Sequence, residues 1–394
     1  MKILILGEFF SGLKDWHLYG KKPKGMPAVY NFYNILGKRD DVQFEGIVLN
    51  KYLNRTIEFE NGSKLHVIKY TKFSKYHFIW KLFAMFATYR IAKKRIRNNN
   101  FDIIYGMANF ALLASILGKK QKIKSVGRVF GTFATELIKN KNYFKLYTRH
   151  IIDVLIIKNP PDILISTEDG TDYSYFANKF NPKKDVKILF NGMDKDLKKT
   201  LLNLSPTKLD KNKTIKFIYI ARLSSWKRQD LAIDTINHLR KQNIDAILTI
   251  IGDGPELNSI KNLISQLKLT QYVQIIDSVP QVDLPKIIEK HHIAMSLYNN
   301  GNLGNVIWET SLAGKIIVVR KSGNLHNIFI DKENSIVVET EINGKKIADK
   351  IITTFENNNY NSFGIKIRTE VDKIIMDWNT RIDHEIYLIK NHLD

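Results

Sequence analysis

Cysteine is absent from the 394 residues, so the chain has no disulfide framework, no thiolate nucleophile and no thiolate metal site. That fits a reducing compartment. No uninterrupted apolar run reaches the ~20 residues of a membrane-spanning helix. The longest candidate, residues 103–118, is broken by Gly106 and Asn109 into strand, turn and helix. The opening Met1-Lys2-Ile3-Leu4-Ile5-Leu6-Gly7 is too short for a signal-peptide core and reads as a first buried strand. No GxGxxG fingerprint follows it, so a dinucleotide is not inferred. Acidic residues are few: 39 Asp and Glu against 61 Lys and Arg leave a formal charge of +22. Residues 1–192 hold 33 Lys/Arg and 15 Asp/Glu, hence +18 of that charge. Such a field attracts polyanions, either nucleic acid or an anionic membrane surface.

Hydrophobic residues make up 44% of the chain, which is ample for packed cores, and the length exceeds one ordinary core. Buried-strand patterns at 3–6, 44–49, 65–68, 103–105, 123–126, 163–166 and 186–190 alternate with helical ones. A second alternating series follows, with strands at 215–221, 246–251, 273–276, 293–297, 316–319 and 335–338. Strands alternating with helices predict two parallel, doubly wound α/β sheets. Residues 195–214 are Lys-rich and read as a linker. That linker divides residues 1–194 from a second series beginning at 215. A helix is expected from Trp378 to Leu393.

One stretch organises the second half: Gly301-Asn302-Leu303-Gly304-Asn305-Val306-Ile307-Trp308-Glu309. A Gly/Asn loop leaves a buried strand and enters a helix near Asn305. Gly301 and Gly304 let the backbone approach a ligand, and the helix start offers N–H groups and a positive dipole end to an anion. Glu309, one turn in, is placed to accept sugar hydroxyls. Taken alone, this stretch is equally an ordinary βαβ crossover.

Residues 73–97 form an aromatic, cationic pattern. Phe73, Tyr76, Phe78, Ile79, Trp80, Leu82, Phe83, Met85, Phe86, Tyr89 and Ile91 are interleaved with and followed by Lys75, Lys81, Arg90, Lys93, Lys94, Arg95 and Arg97. The pattern is that of a membrane-surface helix. A core helix with a solvated basic end is the alternative.

Four elements in order resemble retaining glycosyltransferases of family 4. They are Arg222 with Lys227, then Gly252-Asp253-Gly254-Pro255, then the Gly/Asn loop with Glu309, and Ala313-Gly314-Lys315. Asn191-Gly192-Met193-Asp194 resembles that family's Asn-Gly-Val-Asp element at the domain junction. The resemblance is good over about 186–340 and weak over 1–185, where Gly25 and the Phe130-Gly131-Thr132 turn are suggestive. It implies a GT-B architecture, with two Rossmann-like domains facing across a cleft and the last helix, residues 376–394, returning to the first domain, so that the domains would be 1–194 with 376–394 and 215–375. It also implies Arg222 and Lys227 on the donor diphosphate and Glu309 on the ribose. Gly254 and Val279 would line the base pocket. Asn300, Gly301, Asn302, Leu303, Gly304, Asn305 and Gly25 would bind the donor, and Phe130, Gly131 and Glu168 would lie toward the acceptor. The physics agrees: a departing diphosphate gains charge, and cations with helix N–H groups can stabilise it without a metal.

Two positions depart from the family. Phe130 stands where it often has histidine, and Gly301 stands where its first glutamate falls. Sugar contacts are then expected from Asn300, Asn302 and backbone N–H groups. The expectation is a retaining, metal-independent glycosyltransferase without a bound cofactor, taking a UDP-sugar in preference to a GDP-sugar. Its acceptor would be a glycan or lipid-linked glycan in cell-envelope synthesis. It would be cytoplasmic, peripheral on the inner face of the membrane, and would not bind nucleic acid. The alternatives are a GT-B sugar-nucleotide epimerase, for which no acid/base set can be assembled, and a non-catalytic nucleic-acid-binding protein, for which only the charge speaks.

Overall fold

A computed structural model describes the chain except residues 24, 74, 76, 211, 358, 359, 393 and 394. It divides into two units. The first comprises Met1–Glu168, Tyr173–Gly192 and Trp378–Asp394, and the second Asp169–Asp172 and Met193–Asp377.

The first unit is built on strands β1 (Lys2–Gly7), β2 (Gln43–Asn50), β3 (Arg55–Glu58), β4 (Lys64–Lys69), β5 (Ile103–Met107), β6 (Lys124–Val129), β7 (Ile163–Thr167) and β8 (Val186–Leu189). Among the described residues they form one sheet in the order β3-β4-β2-β1-β5-β6-β7-β8. Every pairing is parallel except that of β3 with β4. The sheet is covered on both faces, which explains the unbroken apolar runs 3–6 in β1, 103–105 in β5 and 163–165 in β7. Alternation along β1 sorts its side chains. Ile3 and Ile5 join helix Pro27–Leu36 and the last helix, Trp378–Lys390, while Leu4 and Leu6 join helices His77–Asn98 and Phe110–Gln121.

The last helix is tied to this unit by buried charges as well as by Ile382, Ile386 and Ile389. Glu385 accepts from Arg381 Nη1 at 2.6 Å and from the Tyr105 hydroxyl, and lies 3.5 Å from Arg128 Nη1. Arg381 Nε also donates to the Phe190 carbonyl at 2.8 Å. Two guanidinium groups around one carboxylate compensate a burial that neither sign would tolerate alone. The helix ends at Lys390, and the expected end at residue 393 lies outside the described residues.

The aromatic, cationic stretch is a helix over His77–Asn98; Tyr76 lies outside the described residues. Trp80, Ala84, Thr88 and Ala92, spaced by four, are buried, while Ile79, Leu82, Phe83 and Phe86 are exposed. Its exposed apolar residues lead into its basic end: Phe86 lies one turn before the exposed Arg90, and Lys93 is seven residues beyond Phe86, about 10 Å along a helix. Arg95 pairs with Glu45 at 2.9 Å.

The expected linker 195–214 contains a helix, Lys195–Asn203. Asp194 caps it by accepting from the Asp196 and Leu197 amides, and Leu197 and Leu201 are buried. The lysine-rich composition of its outer face concealed this amphipathic pattern.

The second unit holds β9 (Ile215–Ile220), β10 (Ala246–Ile251), β11 (Val273–Ile276), β12 (Ile293–Ser296), β13 (Ile316–Arg320) and β14 (Ile336–Val338). They pair in parallel in the order β11-β10-β9-β12-β13-β14. Chain order reverses between β9 and β12. Loops leaving the carboxyl ends of these two strands diverge, and the crevice between them is where such sheets bind ligands.

Candidate active site of the second unit

The loops after β9, β10, β11 and β12 meet at this switch point. The loop after β9 carries Arg222 and leads into a turn over Ser225–Lys227. It is laid against the loop after β10. The Leu223 amide donates to the Asp253 carbonyl at 2.7 Å, and the Glu256 amide to the Leu223 carbonyl at 3.2 Å. Gly252 and Gly254 are needed for this approach. A Cβ on Gly252 would lie 2.0 Å from the Ala221 carbonyl oxygen, and one on Gly254 2.2 Å from that of Leu223. The Arg222 carbonyl is held by Gln229 Nε2 at 3.0 Å, while the rest of the residue is exposed.

Lys227 is half-buried over two rings, with Nζ 3.3 Å from the centroid of Tyr298 and 4.0 Å from that of Trp226. Burial lowers its pKa to about 7, and the negative charge of Asp169 opposes the shift. A cation held over aromatic faces and short of counter-charge is suited to an anion. The bed is rigid: the Tyr219 hydroxyl donates to the Lys227 carbonyl, the Tyr298 hydroxyl to that of Ile220 at 3.2 Å, and the Asn299 amide to that of Trp226 at 2.9 Å.

After β12, Gly301 takes φ +69° and Gly304 caps helix Asn305–Leu312. A Cβ on Gly304 would meet nothing within 4 Å, so there is open space in front of the helix start and its donors. Glu309 sits one turn into this helix, buried. Its Oε1 accepts from Gln281 Nε2 at 2.5 Å, and its Oε2 has no hydrogen-bond partner. Burial pushes its carboxyl up to about 7, and the Gln281 bond opposes this. Asn300 Nδ2 and Ser224 Oγ are likewise buried without partners. Orphaned polar atoms at one place mark ligand positions.

Asn302 departs from expectation. Its Oδ1 accepts from Ser296 Oγ and the Tyr298 amide, each at 3.0 Å. Its Nδ2 donates to the Tyr298 and Arg320 carbonyls and to Ser322 Oγ. Fully buried and saturated, it holds the loop together and has nothing to offer a sugar. Leu303 is buried too, and takes part through its amide, which donates to the Asp169 carbonyl at 3.0 Å. Asn305 is the first residue of the helix, and Val279 is half-buried in the loop before the Gln281–Asp283 turn.

Thus Arg222, Lys227, Gly254, Val279, Asn300, Gly301, Gly304, Asn305 and Glu309 belong to one unit and to its sheet's carboxyl edge. Gly25, Phe130, Gly131 and Glu168 belong to the first unit. Gly25 donates to the Gly12 carbonyl at 3.2 Å. The Phe130 ring lies edge-on to Phe10 at 5.9 Å, and the Arg128 guanidinium is 5.4 Å from its centroid. Gly131 has φ +75°, and Glu168 is buried with its amide bonded to the Leu189 carbonyl. Sequence reasoning missed Gln281 and Asp169. The first follows directly on the Ser278-Val279-Pro280 segment and the second on Glu168, so adjacency was the available signal.

Residues 203–369 match the family described as glycosyl transferases group 1. An uncharacterised glycosyltransferase of Methanocaldococcus jannaschii is 24% identical over 291 residues, 71% of this chain and 70% of that protein. A GDP-mannose-dependent α-(1-6)-phosphatidylinositol monomannoside mannosyltransferase of Mycolicibacterium smegmatis is 29% identical over 133 residues. That match spans 31% of this chain and 34% of that protein. Among solved structures, Anabaena HepE in complex with UDP superposes with a TM-score of 0.67 at 15% identity, over 99% of this chain and all of that one. The fold is GT-B: two parallel-sheet α/β domains. The match of residues 203–369, within the second unit, and the glycosyltransferase relatives support glycosyl transfer as the class of activity.

Proposed function

We propose that the chain is a retaining glycosyltransferase that takes a nucleotide-diphosphate sugar in its second unit. The observation that carries this is the set of Lys227, the Gly304-capped helix start and the half-bonded Glu309 at one switch point. Lys227, Arg222 and the helix N–H groups face the diphosphate, whose charge grows as the glycosidic bond breaks. Glu309 Oε2 accepts ribose hydroxyls, and Val279 with the backbone near Gly254 borders the base. The sugar–oxygen bond to the diphosphate breaks with its electron pair leaving on phosphate. That oxygen takes the acceptor's proton as the acceptor oxygen bonds to the same face of the sugar. No metal and no bound cofactor is required, since protein cations supply the charge. Donor hydrolysis measured with and without EDTA tests this, and a strict divalent requirement would overturn it.

The first donor to try is a UDP-sugar, with GDP-mannose as the competitor because one relative's name specifies it. The proposed acceptor is a lipid-linked or envelope glycan, reached from the cytoplasmic face of an anionic membrane. Exposed Ile79, Leu82, Phe83 and Phe86 support that placement. So does a second patch on helix Tyr143–Arg149, where Phe144 is 80% exposed among Lys139, Lys141, Lys145 and Arg149. Among the described residues, no helix is long and apolar enough to cross a membrane.

A further inference from the structure

Residues Asp169–Asp172 follow β7 in sequence, yet they belong to the second unit. They cross its donor loop as a strap gripped from two sides. The Asp169 carbonyl accepts from the Leu303 amide at 3.0 Å. Gly170, at φ +84°, passes so near that a Cβ on it would lie 3.1 Å from the Asn302 and Leu303 amides. A Cβ on Gly323 would lie 2.3 Å from the Gly170 oxygen. The strap also flanks the position without a side chain: a Cβ on Gly301 would have the Asp169 oxygen and Thr171 Cγ2 at 3.6 Å.

The Asp169 carboxylate is held in one orientation. Its Oδ1 accepts from the Thr171 amide at 3.0 Å and from Thr171 Oγ1 at 2.6 Å. Its charge is felt by Lys227. The donor loop is otherwise short of acceptors. Asn302 is saturated, Asn300 Oδ1 already accepts from the Gly301 amide at 2.8 Å, and Asn300 Nδ2 can only donate. Sugar hydroxyls need acceptors as well as donors, and a carboxylate gives the stronger, charge-assisted bonds.

We propose that Asp169 is a donor-binding residue whose carboxylate accepts hydroxyls of the transferred sugar beside Gly301. This rests on the glycosyltransferase reading and names the residue that distinguishes the sugar from its nucleotide. Asp169→Asn keeps the shape and the amide oxygen that Thr171 bonds, so the strap is retained. The test is calorimetric titration of wild type and variant with matched pairs: UDP and UDP-glucose, GDP and GDP-mannose, ADP and ADP-glucose. Titrations at pH 6 and pH 8 separate any effect passing through Lys227, which would shift both members of a pair alike. The expected result is a tenfold or greater loss of affinity for the sugar conjugate, with the parent diphosphate changed less than twofold. Equal losses for both, or no loss for either, would overturn the assignment while leaving the donor site standing. If wild type binds none of the pairs, the donor-site reading falls first and this inference with it.

Discussion

Gln281 bonds one carboxylate oxygen of Glu309 and leaves the other buried and unpartnered. This half-satisfied state makes stability depend on pH. An unperturbed glutamate carboxyl titrates at 4.5 and this one at about 7, so between those values the folded protein binds a proton that the unfolded chain does not. Stability from this group is therefore full below about pH 4.5 and declines as pH rises through about 7. Glu309→Gln keeps the shape and removes the titration. The variant is expected to match wild type at pH 5 and to exceed it at pH 8 by a few kcal/mol, each pKa unit being about 1.4 kcal/mol. Denaturant unfolding at the two pH values checks this. Nucleoside diphosphate affinity should fall at the same time, because the ribose acceptor is lost.

Lys227 has the opposite sign. It is charged below about pH 7 and neutral above. Pyrophosphate, which lacks a ribose, isolates its contribution. Affinity for pyrophosphate should fall by up to tenfold per pH unit above 7 in wild type. Lys227→Arg should bind without that dependence, since a guanidinium stays protonated. A flat wild-type profile would remove Lys227 from the phosphate site.

Lys227→Ala and Arg222→Ala should each lower turnover by roughly 100-fold or more, the scale of losing one electrostatic stabiliser of a developing anion. Arg222 is exposed on a loop, so thermal unfolding of its variant should be unchanged. Wild-type turnover in either variant would count against the mechanism.

Asn302→Ala should act on stability. It removes the acceptor of the Tyr298 amide and of Ser296 Oγ and the donor to the Arg320 carbonyl, at a cost of about 2–4 kcal/mol. Gly301→Ala should cost about 1 kcal/mol, the strain of a left-handed conformation. Urea unfolding of both variants tests the order. A stable Asn302→Ala with impaired sugar binding would restore the role that the sequence suggested.

Membrane contact is checked by sedimentation with anionic vesicles. Replacing Lys139, Lys141, Lys145 and Arg149 by Gln should weaken binding by about 1 kcal/mol per charge. Phe86→Ser and Phe144→Ser should weaken it further without changing unfolding, because both side chains are exposed. The cluster Lys93, Lys94, Arg95 and Arg97 should matter less, since Arg95 is paired with Glu45.

Periodicity along the chain determined the two parallel sheets. A strand covered on both faces, such as β5 or β12, takes apolar residues at successive positions instead of every second one, and a covering helix must repeat every three to four residues. Both are local constraints, so they are legible without coordinates. The same holds for Gly252 and Gly254, whose residue type is set by how closely the backbone after β9 passes them. The short helix at Lys195–Asn203 escaped because two buried leucines among lysines make a weak pattern.

Side-chain assignments at the site were a different matter. Asn302 and Asn300 are the same residue type two positions apart, yet one is saturated inside the loop and the other keeps a donor unpartnered. Gln281 meets Glu309 across 28 residues, and Asp169 reaches the loop at Leu303 across 134. Which polar groups satisfy one another depends on contacts between segments distant in sequence. Only the tertiary structure decided that Asn302 is a latch, that Glu309 keeps one free oxygen, and that Gly301 has a carboxylate-bearing strap beside it.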